Sequence, residues 1–298
     1  MKTLPRKLLA LAFSLAVLTG FAARDNAAVI SNGLRFEYVK IKIGVSVEKV
    51  TLPDGSPIDR RKVVIPDMID GLPVTELRGF NKSPISEVII PDTVTYLGLG
   101  NFGKCPYLER VVVGSGVKKI DSQCFFDCPR LKAVEFAPGS CLTTISASAF
   151  RKCTSLAEIA LPASLTTISS EAFKECSALK TVTLPDSLEY IGSSAFMGCT
   201  SLKAIKLPAS LTTLNNFAFA ESGLVSLELP ESVTVVDSGV CNKCPRLTAV
   251  KLGSNVTQIR RNAFSNCPLL RTINIPPTVD RIDSAAFGGS TPFKVQPR

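Results

Sequence analysis

The chain has 298 residues, of which 45% are hydrophobic, and it carries a formal net charge of +9 with no histidine. The lack of histidine excludes Ser-His-Asp and Cys-His active sites and a histidine general base. Acid pairs such as Glu171 and Glu175 recur only as charges on a predicted surface, and no phosphate-binding glycine loop precedes a long helix pattern. The sequence therefore predicts that the protein is not an enzyme, that it needs no cofactor and that it holds no metal.

Residues 1–22 have the pattern of a secretory signal peptide. Three basic residues precede an apolar run, residues 8–18, which is too short to span a bilayer. Gly20 and Ala22 are small residues at the −3 and −1 positions, which favours cleavage after Ala22. Cleavage there would lower the net charge from +9 to +6. A retained N-terminal anchor is the alternative. We predict an exported protein, located outside the cell, on its surface or in the periplasm, with no transmembrane segment after signal removal.

Residues 23–73 differ from the rest of the chain. Leu34, Phe36 and Tyr38 alternate with polar residues, and a turn signal follows at Leu52-Pro53-Asp54-Gly55. Alternation followed by a turn is typical of β-strands. We predict a small N-terminal β cap that passes into the following repeats at Ile65-Pro66.

Residues 74–290 repeat one pattern about every 23 residues. The clearest copies open at Leu142, Leu165 and Leu188 and read Leu-x-x-Ile-x-x-x-Ala-Phe-x-x-Cys-x-x-Leu-x-x-Ile-x-Leu-Pro, with small variations. Self-similarity at this period signals a solenoid, in which stacked copies complete one another's core. Full copies with a degenerate one at each end fill this range, and residues 291–298 remain as a C-terminal tail.

The repeated motif resembles that of the BspA-like, treponemal-type leucine-rich repeat family, from about Val74 to Phe287. The resemblance implies a leucine-rich repeat solenoid. It also implies an adhesin-like role, because members of the family often bind host or matrix proteins or other cells. The fold alone does not name a partner, since one fold hosts many functions.

The local structure of one copy can be argued from residues 165–187. Leu179, Val182 and Leu184 alternate as in a strand, and Pro185 ends it because proline lacks an N–H group. Stacked copies then form a parallel sheet on one face, and the threonine-rich start of each copy forms a short strand on the other. Between them, Ser170 has the features of a helix cap, which predicts one or two short helical turns. The predicted fold class is thus a strand-dominated α/β solenoid.

A phenylalanine recurs at one place in most copies: Phe102, Phe125, Phe150, Phe173, Phe196, Phe219, Phe264 and Phe287. An exposed aromatic binding stripe and a buried spine both explain the series. The small residue that usually precedes each phenylalanine leaves room for rings to stack inside, so we favour the buried spine.

Seven of the ten cysteines also share one place: Cys105, Cys128, Cys153, Cys176, Cys199, Cys244 and Cys267. An exported chain with many cysteines suggests disulfides. Parallel side chains in adjacent coils fit the disulfide dihedral poorly, however, and free cysteine behaves as a small buried hydrophobe. A zinc or redox site at Cys241-x-x-Cys244 lacks a second pair. We predict a buried, reduced ladder, with only Cys141 exposed.

Exposed residues of the predicted strands supply the candidate binding site. Counted from the leucine that opens each strand segment, such as Leu179, the second position holds Lys180, Lys203 and Arg271, and the fifth holds Lys206 and Lys251. Like charges in neighbouring strands are mildly unfavourable, so this basic stripe is either a solvated face or a site that steers an acidic protein or glycoprotein. We predict a monomeric, secreted or cell-surface protein that binds other proteins. A structural envelope scaffold without a dedicated ligand is the alternative, and export argues against nucleic-acid binding despite the positive charge.

Overall fold

The computed structural model describes residues 27–290, and its N-terminal part is an antiparallel sheet. β1 (Ala27–Ser31), β2 (Leu34–Ile41) and β3 (Gly44–Thr51) form this sheet, and β3 pairs in parallel with β6 (Leu72–Leu77), which also pairs with β5 (Met68–Ile69). The predicted β cap is confirmed. The predicted segments 1–22 and 291–298 lie outside the described residues, and the boundary between residues 73 and 74 stays a prediction.

A first column of parallel strands runs along one face of the repeats. Each coil adds one strand in register with the last, so that Ile159 lies opposite Val182. The column begins with β4 (Lys62–Val64), slightly before the predicted transition at Ile65-Pro66, and continues with β7 (Glu87–Ile89), β8 (Arg110–Val113), β10 (Ala133–Phe136), β12 (Glu158–Ala160), β14 (Thr181–Thr183), β17 (Ser226–Glu228), β19 (Ala249–Lys251) and β21 (Thr272–Asn274).

The first column is interrupted at two places. β10 and β12 belong to different sheets, and the coil between them is two residues longer, before Leu142. The column separates again between β14 and β17, where residues 204–206 of the intervening coil make no backbone hydrogen bond with either neighbouring coil. The strand face is therefore three short sheets in sequence, with unpaired backbone groups at the second gap.

A second column of short strands lies on another side of each coil. It consists of β9 (Lys119–Ile120), β11 (Thr144–Ile145), β13 (Thr167–Ile168), β15 (Tyr190–Ile191), β16 (Thr213–Leu214), β18 (Val235–Val236), β20 (Gln258–Ile259) and β22 (Arg281–Ile282). All its pairs are parallel, and it is interrupted between β16 and β18. This confirms the second set of short strands predicted from the threonine-rich segments.

The prediction of helical turns is wrong for residues 27–290, where no helix occurs. The segment between the two columns consists of turns, because two residues in most coils have left-handed backbone conformations four positions apart. Glu171 and Glu175, for example, have φ angles of 58° and 63°. Alternate amides in this segment bond to the next coil instead of to their own, as Phe173 N–H does with Ala195 O at 2.8 Å.

The phenylalanines form a buried stack at the centre of the solenoid. The rings of Phe150 and Phe173 lie 5.3 Å apart with planes 6° from parallel, and Phe173 and Phe196 repeat the arrangement at 5.3 Å and 4°. Phe80, from the degenerate first copy, extends the stack at one end. Cys241 interrupts the stack between Phe219 and Phe264, and beyond it Phe264 stacks on Phe287, which is half-buried. The buried spine is confirmed and the aromatic binding stripe is rejected.

The ten cysteines are free thiols, of which nine are buried and Cys141 is exposed, as predicted. Each ladder thiol points at a carbonyl of the preceding coil. Cys176 Sγ, for example, donates to Phe150 O at 3.1 Å, and Cys199 Sγ donates to Phe173 O at 3.2 Å. Burial raises the pKa of the thiols of Cys153, Cys176 and Cys199, that of Cys199 to about 12.

Candidate binding surface on the strand face

The N-terminal part of the strand face carries charges that neutralise one another. Glu87 on β7 contacts both Lys62, at 3.3 Å, and Arg110 on β8. Arg110 also bonds to both carboxylate oxygens of Glu135 on β10, which lowers the pKa of Glu135. Directly before β10 and β8, Lys132 pairs with Glu109 at 2.8 Å. This part of the face offers a partner little unpaired charge.

Two of the five predicted basic residues come together in the middle of the face. Lys180 and Lys203 border one surface notch of about 470 Å³ with Thr200, Ser201 and Arg246. All three basic side chains are exposed, and within residues 27–290 none of them forms an ion pair. The structure thus brings two of the predicted basic residues together and places Arg246 beside them.

A one-residue deletion explains the notch. Two residues separate Cys199 from Leu202 in one coil, but in the next coil only Gly223 separates the corresponding Ser222 and Leu224. The shortened chain lies tight against the preceding coil, because a Cβ on Gly223 would lie 2.2 Å from the backbone oxygen of Thr200. Arg246, from the coil after the deletion, then reaches the same space as Thr200 and Ser201.

The other three predicted residues lie elsewhere. Lys206 borders a separate cleft of about 660 Å³ that also includes the acids Asp186, Glu228 and Glu231. Lys251 is paired with Glu228 on the neighbouring strand. Arg271 donates to the backbone oxygen of Pro268 at 3.0 Å. The structure therefore divides the predicted stripe, and only its Lys180–Lys203 end forms a cluster of cations.

Arg246 is the residue that sequence reasoning missed. Arg246 directly precedes the strand leucine, Leu247. It therefore does not occupy the second or fifth strand position, from which the basic stripe was predicted. The signal that could have found it is the missing residue at Gly223. A shortened coil between two full ones leaves a gap that side chains of both neighbours can reach.

The chemistry available on this surface is recognition of anionic groups. In the part of the chain that the structure describes, no group of three or more histidine, cysteine or acidic side chains is arranged to hold a metal ion. The notch instead offers two ammonium groups, one guanidinium and two hydroxyls, all hydrogen-bond donors. Between residues 27 and 290 there is also no helix that could cross a bilayer.

Comparison with known proteins identifies the repeat family. The model of the BspA type leucine rich repeat region matches residues 76–187 and 166–294, in six copies. No curated protein matches the chain. A leucine-rich repeat protein from Bacteroides ovatus is 21% identical, with a TM-score of 0.53 over 88% of this chain and 92% of its own.

Two further solved structures are similar over most of the chain at lower TM-scores. A leucine rich cell surface protein from Faecalibacterium prausnitzii is 25% identical, with a TM-score of 0.49 over 88% of this chain and 86% of its own. The pneumococcal vaccine antigen PcpA is 18% identical, with a TM-score of 0.34 over 91% of this chain and 89% of its own. The family match covers well over half of the sequence, so the chain belongs to the BspA-type leucine-rich repeat family.

Proposed function

We propose that the protein is an exported, surface-associated binding module that recognises another protein through the strand face of its solenoid. The observation that carries this proposal is the cluster of cations at Lys180, Lys203 and Arg246, which have no ion pairs within residues 27–290, on a face where Arg110, Lys132 and Lys251 are paired with acids. A repeat solenoid presents such an extended surface as a consequence of its stacking. An adhesin-like role, in which the partner is a host, matrix or envelope protein, is part of the proposal.

Export is proposed from residues 1–22, whose composition is that of a signal peptide. We expect a bacterium that expresses the tagged chain to deliver it outside the cytoplasm, shortened by about 22 residues at its N-terminus as the small residues before Ala22 imply. Cell fractionation with N-terminal sequencing checks this. Recovery of the full-length chain in the cytoplasm would contradict export.

Reversal of charge in the middle of the strand face tests the binding surface. We expect Lys180→Glu, Lys203→Glu and Lys206→Glu together to slow association with a protein captured from envelope or matrix extracts at least tenfold, because exposed charges steer encounter. The melting temperature should change little, since all three side chains are exposed and unpaired among the described residues. Surface plasmon resonance at several salt concentrations measures the association rate.

A matched control carries the same charge change on other sides of the solenoid. Lys82, Lys118 and Arg261 are exposed, lack ion pairs within residues 27–290 and lie away from the strand face. Their replacement by glutamate should leave the association rate within about twofold. Equal slowing by both triple variants would place the site off the strand face. If no captured protein binds the two triple variants differently, the alternative is favoured, which is a structural scaffold without a dedicated ligand.

A further inference from the structure

We propose that the notch between Lys180, Lys203 and Arg246 is a socket for a single acidic side chain, aspartate or glutamate, of the protein partner. The proposal rests on the proposed function, because it assigns the chemistry that the strand face recognises. The proposal goes beyond that function because it names the group that is bound and the residue, Arg246, that sets the geometry of binding.

The shape of the socket comes from the deletion at Gly223. Thr200 and Ser201 form one wall, and Arg246 approaches from the coil on the far side of the shortened one. Gly223 is buried against the Thr200 backbone, so the intervening coil contributes no side chain to fill the space. A cavity of about 470 Å³ remains, which is ample for one acidic side chain.

The charges of the socket are free to act on a ligand. Arg110, Lys132 and Lys251 on the same face each have an acidic partner. The three cations of the socket have none among residues 27–290, although Lys180 and Lys203 occupy the same place in adjacent coils. An anionic group of a partner can therefore pair with them without displacing an acid of this chain. The planar fork of Arg246 suits a carboxylate, which it can bind through two parallel hydrogen bonds.

A protein carboxylate fits the surroundings better than a sulfated polysaccharide. A polyanion that ran along the strand face from the socket would meet Asp186, Glu228 and Glu231, which border the adjoining cleft. Lys206 borders the same cleft as these three acids, and the basic residue beyond it, Lys251, is already paired with Glu228. Three acids therefore border a cleft that holds one cation without an ion pair among residues 27–290, so the positive charge is concentrated at the socket, which is the pattern expected for a single inserted side chain. Val225, exposed at the same strand place in the next coil, offers apolar contact for the rest of a peptide.

The test uses an acetylated hexaglutamate peptide as probe, with a hexaglutamine peptide as its neutral counterpart. NMR titration of the purified protein should show shifts at the Arg246 side-chain Nε–H with hexaglutamate and none with hexaglutamine. Lys180→Gln, Lys203→Gln and Arg246→Gln together should weaken hexaglutamate binding at least tenfold. The control triple Lys82→Gln, Lys118→Gln and Arg261→Gln removes the same charge and should weaken it less than twofold, since distant surface charge acts only through the general field.

Two further variants separate shape from charge. Arg246→Lys keeps the charge but removes the fork, and should weaken binding severalfold. Insertion of one serine between Ser222 and Gly223 restores the usual coil length and should close the socket without any change of charge. If that insertion prevents folding, as judged by circular dichroism, the Arg246→Lys result decides.

The outcomes distinguish this proposal from the proposed function. Equal weakening by the two glutamine triples would show general electrostatics and would overturn the socket. Tighter binding of a heparin-derived hexasaccharide than of hexaglutamate, lost in the same variants, would also overturn it and assign the site to glycans. If the socket variants lose hexaglutamate but still bind the captured protein normally, the partner uses another part of the face, and the proposed function survives while the assignment of the socket to the partner fails.

Discussion

The buried backbone carbonyls of the stacked phenylalanines explain why cysteine recurs in the repeat. Phe150 O accepts the backbone N–H of Cys153 at 3.1 Å and the thiol of Cys176, from the next coil, also at 3.1 Å. A carbonyl oxygen has two lone pairs, and a buried polar group without a partner destabilises the fold. Cysteine is therefore both a small apolar filler and a hydrogen-bond donor that links adjacent coils.

Truncation of one stacked ring should destabilise the solenoid strongly. Phe173 is fully buried between Phe150 and Phe196. We expect Phe173→Ala to lower the free energy of unfolding by about 3–5 kcal/mol, because it removes buried apolar surface and leaves a cavity. Urea denaturation measures the change. Phe217→Ala is the control, since that ring is 38% exposed, and a similar loss for both variants would contradict the role of the stack.

The thiols should differ sharply in reactivity. Cys141 is exposed, whereas desolvation holds the pKa of Cys153 and Cys176 well above its usual value. Only the thiolate is the nucleophile, so near pH 8 we expect one thiol to react rapidly with a thiol reagent and the ladder thiols to react only after denaturation. Mass spectrometry counts the modified residues. Three or more disulfides in the native protein would contradict the reduced ladder.

At the scale of elements, the turn segments between the two strand columns connect successive coils without interruption. Their hydrogen bonds between coils extend through residues 100–288, while both strand columns are interrupted. The left-handed conformations that make this possible are unfavourable for residues with a side chain, and Ser194, with φ of 58°, adopts one without any side-chain bond among the described residues. The cost is offset by the regular bonds that each turn makes with the next coil.

The second gap in the strand face should be visible in hydrogen exchange. Within residues 27–290 the amide of Leu207 has no hydrogen-bond partner, whereas those of Leu161 and Leu229, at the same place in other coils, bond to Thr183 O and Lys251 O at 3.0 and 2.9 Å. We expect Leu207 and Ile205 to exchange faster than Leu161 and Leu229, since exchange of a bonded amide requires local opening. NMR-detected exchange in D₂O compares them. Equal protection at the four amides would show that the gap is closed in solution.

For the whole molecule, stacking determines shape. Ten coils, counted along the first column with residues 204–206 as one of them, stack in the order of the sequence. At a spacing of about 4.8 Å between strands, the stack measures roughly 50 Å, to which the N-terminal cap adds further length. Small-angle X-ray scattering should therefore give an elongated particle. A profile typical of two compact domains would contradict this.

The sequence by itself determined the repeat, the buried ring stack and the buried thiols. These follow from local periodicity, because residues one period apart, such as Phe150 and Phe173, must occupy equivalent places in stacked coils. It also located the two strand segments of each coil, where apolar and β-branched residues alternate, and it placed the β cap before the repeats.

Only the tertiary structure decided the turns, the gaps and the grouping of charges. The segment that begins at Ser170 has a helix signal by local criteria, but its amides find partners in the next coil, and local propensity does not include such bonds. The neutralisation of Lys251 by Glu228 depends on the register of neighbouring strands, and the position of Lys203 and Arg246 around one notch depends on the shortened coil between them. A one-residue difference in length is a small change in the sequence, yet it moves side chains of different coils into a shared space.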